Sequence, residues 1–225
     1  MVELTYFGHS FVKIKYGKET ILIDPIFNST KTVFEKKRKI PADKGDMKNV
    51  SLILLTNEME EHLDKGAVRE IALRDNATVV AHDYILNTLN LPRNLKAPIT
   101  SNSEVFLKGF KIQTKTDHFP KSFCPTGYLI DCGGKKIYHA GVTLLLDSFS
   151  GIKTDVAILP MSSQSMDVVD VVRAAKLMKP SVLIPMQYDL FETNKYDPKE
   201  LDTRIKESIL DTQTIILNPG KKIKL

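Results

Sequence analysis

Cysteine is scarce: Cys124 and Cys132 are the only two in 225 residues, and they do not form a Cys-x-x-Cys pair. Two such thiols are too few for a disulfide framework or a cysteine-built zinc module, so both read as small core or loop residues. Long apolar runs are missing as well. No segment approaches the roughly eighteen consecutive apolar residues of a membrane span. The opening MVELTYFGHSFVKIKYG has neither the basic start nor the apolar block of a secretory signal, so the expected compartment is the cytoplasm. A large charge excess of either sign is also lacking, since 32 basic and 27 acidic residues leave a formal +5. Much of that surplus is local, in FEKKRKIPADKGDMK (Phe34–Lys48) and in the tail GKKIKL. KKRK could meet a phosphate backbone, but no aromatic residues interleave it for base stacking, and it reads as a solvated loop.

What remains is an ordinary globular composition, 42% hydrophobic and 26% charged. The chain is long enough for a good core, and residues 1–225 are expected to form one domain. The first half reads as strands punctuated by turns: VELTYF, FVKIKY, TILID and the buried run VSLILLT. LDKGAVREIALR then shows helical spacing, ATVVA is a strand, and DYILNTLN is a helix that Pro92 stops. EVFLKG and FKIQTKT pair around Lys108-Gly109, and TGYLIDC and KKIYHA pair around Gly133-Gly134. The second half alternates: strand DVAILP, helix VVDVVRAAKLM, strand SVLIPM, helix PKELDTRIKESIL, strand TQTIILN. Meanders joined to strand–helix alternation predict two sheets with helices outside, an α/β, four-layer αββα sandwich. The order hints at two related halves, although no convincing sequence repeat accompanies it.

Polar residues recur just after the strands: His9, Asp24, Asn57 to His62, His118, His139 and Gln187. Strand ends on one sheet edge converge, so these distant residues can line one cleft. Each alone has a bland reading, a satisfied core His or an Asp that starts a turn before Pro. Their joint recurrence at strand ends is what argues for a site.

FGHSFVKI, ILIDP, LLT followed by NEMEEHL, TDHFP, GYLID, KKIYHAG, DVAILP and KPSVLIPMQYD together resemble the metallo-β-lactamase superfamily. Within it they are similar to the metal-dependent hydrolase branch that includes ascorbate-6-phosphate lactonase. The resemblance runs from about Val2 to Gly220 and implies the αββα sandwich with a site along one edge of its sheets. It also implies one or two metal ions held by T-H-x-H-x-D-H, a later His, the Asp of H-A-G-D and the His of P-M-H-Y. Imidazole and carboxylate suit zinc, manganese or iron, and a bridging Asp lets two cations lie close together.

Here the first two His positions hold Asn57 and Met59, and the Asp position holds Glu61. His62 and His118 are kept, while the bridging Asp is Val142 and the last His is Gln187. Val142 coordinates nothing, a thioether suits hard cations poorly, and neutral amides are weak donors. Glu61, His62 and His118 therefore form at most a remnant, for no metal or one weakly bound zinc or manganese ion. Glu58 and Glu60 fall on spacer positions and are expected to face water.

Three readings follow. The first is a non-hydrolytic homologue whose cleft binds a small-molecule ligand. The second is an active hydrolase of lactone or phosphoester class, mononuclear or metal-free, with His9, Asp24 and His139 as candidate acid, base or orienting groups. The third, a weak nucleic-acid-binding module, ranks last because the charge is small and carries no recognition motif. Oligomeric state is not legible.

Overall fold

LILL and VAILP contain no polar residue, and in the computed structural model both of their faces are buried. The structure describes residues 1–192 and 196–225. In β4 (Leu52–Leu54), Leu52 and Leu54 point between two sheets while Ile53 points to the helix side. In β11 (Val156–Pro160), Val156 and Ile158 enter the same inter-sheet core, and Ala157 and Leu159 face the opposite helices. Period-two alternation with apolar residues on both faces produces three apolar layers between four layers of structure.

The first sheet has seven strands. β1 (Val2–Gly8), β2 (Phe11–Tyr16) and β3 (Glu19–Ile23) form an antiparallel meander. From β3 the order runs parallel through β4, β5 (Thr78–His82) and β6 (Lys96–Ile99). The second sheet repeats the plan: β7 (Glu104–Leu107), β8 (Phe110–Thr116), β9 (Thr126–Cys132) and β10 (Lys135–His139) form the meander. β11, β12 (Val182–Met186) and β13 (Gln213–Thr214) continue it in parallel. The last strand, β14 (Lys222–Lys224), crosses back and pairs with β1, outside the plan of two equal halves.

Helices α1 (Lys65–Asp75) and α2 (Asp83–Thr88) cover the first sheet, and α3 (Val168–Met178) and α4 (Pro198–Glu207) cover the second. Asp side chains set the starts of α1, α3 and α4, and His82 caps α2 through the Tyr84 N–H. Asp64 accepts from the Ala67 N–H, Asp167 from that of Asp170, and Asp197 from that of Lys199. The helix expected from Leu63 thus begins two residues later, after its cap. The strand expected over TQTIILN shortens to Gln213–Thr214. β6 was not foreseen, because Lys96 and Pro98 within it hide it, and β14 was hidden in a basic tail. Among the described residues, no helix is long and apolar enough to cross a membrane.

One buried hydroxyl ties the two sheets together. Tyr128 on β9 donates to the Leu55 carbonyl at 2.8 Å and lies 3.1 Å from that of Val80, both at the end of the first sheet's parallel strands. Tyr128→Phe keeps the ring and removes this link, so it should cost about 1–2 kcal/mol, read as a lower urea midpoint with unchanged slope.

Candidate functional site

His9, Asp24, Asn57 and Gln187 follow β1, β3, β4 and β12, and all four side chains are buried. Three of them hold left-handed backbone that non-glycine residues seldom adopt, with φ of 53° at His9, 46° at Asp24 and 67° at Gln187. Such conformations persist where the surroundings over-determine them, and they gather at functional sites. Here Gln187 N–H donates to the His9 carbonyl, joining the two sheets at the cleft. Gly141 completes the edge at φ 61°, where an added Cβ would stand 2.7 Å from Thr56 Cβ.

The centre of the site is the Asp24 carboxylate. It accepts from the Thr56 N–H at 2.8 Å, the Thr56 hydroxyl at 2.5 Å and the His62 Nδ1–H at 2.7 Å. With that proton directed to Asp24, His62 Nε2 faces His9 Nε2 at 3.3 Å, and one proton serves both nitrogens. Burial pushes His9 well below the ordinary imidazole value of 6.5, and the neighbouring His62 and His139 push it the same way. His9 Nδ1 is buried without a hydrogen-bond partner.

A cavity of 50 Å³ lies over this pair, lined by His9, Met59, Glu61, His62, Val142 and Gln187. Phe34, Phe119, Phe191, Ser162 and Gln164 complete its wall. The last five were missed in the sequence. Ser162 and Gln164 follow strand β11, so the strand-end rule could have found them; Phe119 sits inside TDHFP beside His118, while Phe34 and Phe191 lie outside the motifs.

The other anticipated residues are placed differently. His118 is exposed and outside the cavity wall, although its backbone N–H donates to Thr143 Oγ1 beside Val142. In that segment the buried residue is Asp117, whose carboxyl burial holds well above the usual range while Tyr138 donates to it at 3.1 Å. His139 is fully buried: Nε2–H donates to the Ser10 carbonyl at 2.9 Å, and Nδ1 accepts from the Gly141 N–H at 3.1 Å. Both ring nitrogens are therefore committed to backbone. Glu60 is exposed as expected, but Glu58 corrects the sequence reading. Its carboxylate accepts from the Ser122 hydroxyl and the Phe123 N–H at 2.9 and 2.8 Å and lies 3.2 Å from Cys124 Sγ, clamping the loop before β9.

Whether the cleft suits a metal depends on its donors. Glu61 Oε1 accepts from the Val33 N–H, Asn57 Oδ1 from the Met59 N–H, and Gln187 Nε2 donates to the Gly141 carbonyl. Both nitrogens of His62 face partners. Among the described residues, no three His, Cys, Asp or Glu side chains are grouped to hold an ion, so the remnant set of Glu61, His62 and His118 is not assembled. A dinuclear centre of imidazoles and bridging carboxylate does not fit this donor set.

Comparisons with known proteins agree with the fold. Residues 3–187 match the family model described as beta-lactamase superfamily domain. A protein of Aeropyrum pernix named a metal-dependent hydrolase is 30% identical, over 98% of this chain and 96% of its own length. A similarly named protein of Thermococcus kodakarensis is 28% identical over the whole of both chains. Among solved structures, a metallo hydrolase of Ignicoccus hospitalis superposes with a TM-score of 0.85 at 25% identity, covering 99% of this chain and 97% of that one.

Two outcomes test the site. Asp24→Ala strands three buried donors and should cost about 3–5 kcal/mol in chemical denaturation. Because His9 is held below 6.5, its neutral burial contributes fully above that pH. As pH falls past it, the unfolded chain takes up a proton that folded His9 refuses, and stability drops. His9→Gln should therefore flatten the fall between about pH 7.5 and pH 5 by at most about 1.4 kcal/mol per unit, measured against the parent so that Asp117 cancels.

Proposed function

The chain belongs to the beta-lactamase superfamily, within a family of metal-dependent hydrolases, and we propose that it is a non-hydrolytic, ligand-binding member. The donor chemistry of the cleft carries this reading. Val142 and Met59 line the cavity as apolar groups, and the amides and the carboxylate at the other replaced positions are bonded to the protein's own backbone. Two cations would repel across such a cleft without a bridging anion to screen them. What the cleft offers instead is a small apolar chamber, walled by Phe34, Phe119 and Phe191, with the His9–His62 pair at its base. Its preferred occupant is a small, largely apolar molecule with one polar group able to bond an imidazole.

A second reading rests on one geometric observation. Asp24, His62 and His9 stand in line at 2.7 and 3.3 Å, an arrangement that orients an imidazole for metal-free proton transfer. In that case the carboxylate fixes the His62 tautomer and His62 or His9 moves the proton. Glu61 supplies no second acid there, because it is bonded to the Val33 backbone.

Elemental analysis and calorimetric metal titration of the full chain separate these readings from a metalloenzyme. The expected result is less than one equivalent of zinc, manganese or iron and a melting temperature unchanged by excess chelator. Two tightly bound equivalents would overturn the proposal. Asn57→His, Met59→His, Glu61→Asp, Val142→Asp and Gln187→His combined should take up metal where the parent does not, and single replacements should do little. Turnover of lactone or phosphoester substrates by the metal-free parent, abolished in His62→Gln, would favour the second reading over the first.

A further inference from the structure

A second cavity is linked to the cleft through one buried carboxylate. It has a volume of 570 Å³, against 50 Å³ for the cleft. Sites for small ligands span about 300–1,000 Å³, and the second cavity falls within that range. That carboxylate belongs to Asp189, which lines the second cavity and follows β12 two residues after Gln187. Its Oδ1 accepts from the Tyr6 hydroxyl at 2.9 Å and from the backbone N–H of His9 at 3.2 Å.

The other lining residues are mostly cationic or polar: Lys37 and Arg38 from the KKRK loop, Lys199 from the first turn of α4, Tyr196 and Asn218. Burial raises the proton affinity of both Asp189 and Tyr188, and Arg38 is near enough to oppose that rise at each. The N-terminal end of α4 adds partial positive charge to the same space. Asp197 also lines the cavity, but its carboxylate is occupied in capping α4 through the Lys199 N–H. Asp189 is different. It is 2% exposed, and its Oδ2 is buried without any hydrogen-bond partner. Buried carboxylate oxygens are rarely left so, because the lost solvation is not returned.

We propose that this cavity is a binding site for a small anion that also carries a hydrogen-bond donor. The anionic group, phosphate or carboxylate, lies among Lys37, Arg38 and Lys199, and a hydroxyl or ammonium group of the same molecule satisfies Asp189 Oδ2. A bifunctional guest meets both features, whereas a simple anion would leave Asp189 unsatisfied and an apolar one would forgo the charges of Arg38 and Lys199. The inference is independent of what the cleft does, since none of the three cations lines it.

The test is calorimetric titration of the full chain at matched, low ionic strength with glycerol 3-phosphate, propyl phosphate and glycerate. Glycerol 3-phosphate should bind more tightly than propyl phosphate, which lacks the hydroxyls, by about tenfold. Glycerate binding alongside glycerol 3-phosphate would support a site for anions in general. The double variant Arg38→Glu, Lys199→Glu changes two exposed side chains, so it should melt like the parent and lose about tenfold or more in affinity for every probe. Equal affinity for glycerol 3-phosphate and propyl phosphate would overturn the part assigned to Asp189. No binding by the parent at millimolar concentration, or binding unchanged in the double variant, would overturn the site.

Discussion

The Asp24 carboxylate is the constraint on which the cleft depends. Buried beyond the end of β3, it collects two donors from Thr56 and one from His62, and so fixes the loop after β4 against the neighbouring strand. A buried carboxylate is tolerated only where such donors surround it, and each donor in turn needs the carboxylate. His62 is oriented by this bond, His9 is oriented by His62, and the wall of the second cavity is reached through the His9 backbone. One interaction thus sets the positions of side chains from both sheets.

Backbone and side chains at the cleft tell different stories. The left-handed residues His9, Asp24 and Gln187, and the close approach of Gly141 to Thr56, belong to a site whose chain path is costly to maintain. The side chains on that path are largely apolar or turned toward backbone partners.

The two sheets share one plan, a meander followed by parallel strands, and they meet at edges where strand ends converge. Tyr128 and the Gln187–His9 backbone bond hold this junction together. The second cavity exists because β12 continues past Gln187 into Asp189 against Tyr6 of β1. The cationic loop and the start of α4 then close over that contact.

Much of this was legible in the sequence. LILL and VAILP, apolar at every position, require burial on both faces and hence sheets sandwiched between other layers. Strand ends at His9, Asp24, Asn57 and Gln187 located the cleft, since polar residues placed repeatedly after strands converge by topology. Val142 and Met59 were legible as side chains unsuited to hard cations, and both line the cleft. Other features required the tertiary structure. Glu58 looked solvated because its partners, Ser122 to Cys124, lie more than sixty residues away. His118 and His139 looked like site residues, yet one is exposed and the other is bonded through both nitrogens to backbone. β14 pairs with β1 from the far end of the chain. Residue type and spacing determine which groups are able to bond and which faces must be buried. Which partner takes each donor is decided only when distant segments compete for it in a packed interior, and that competition is what consumed the donors of this cleft.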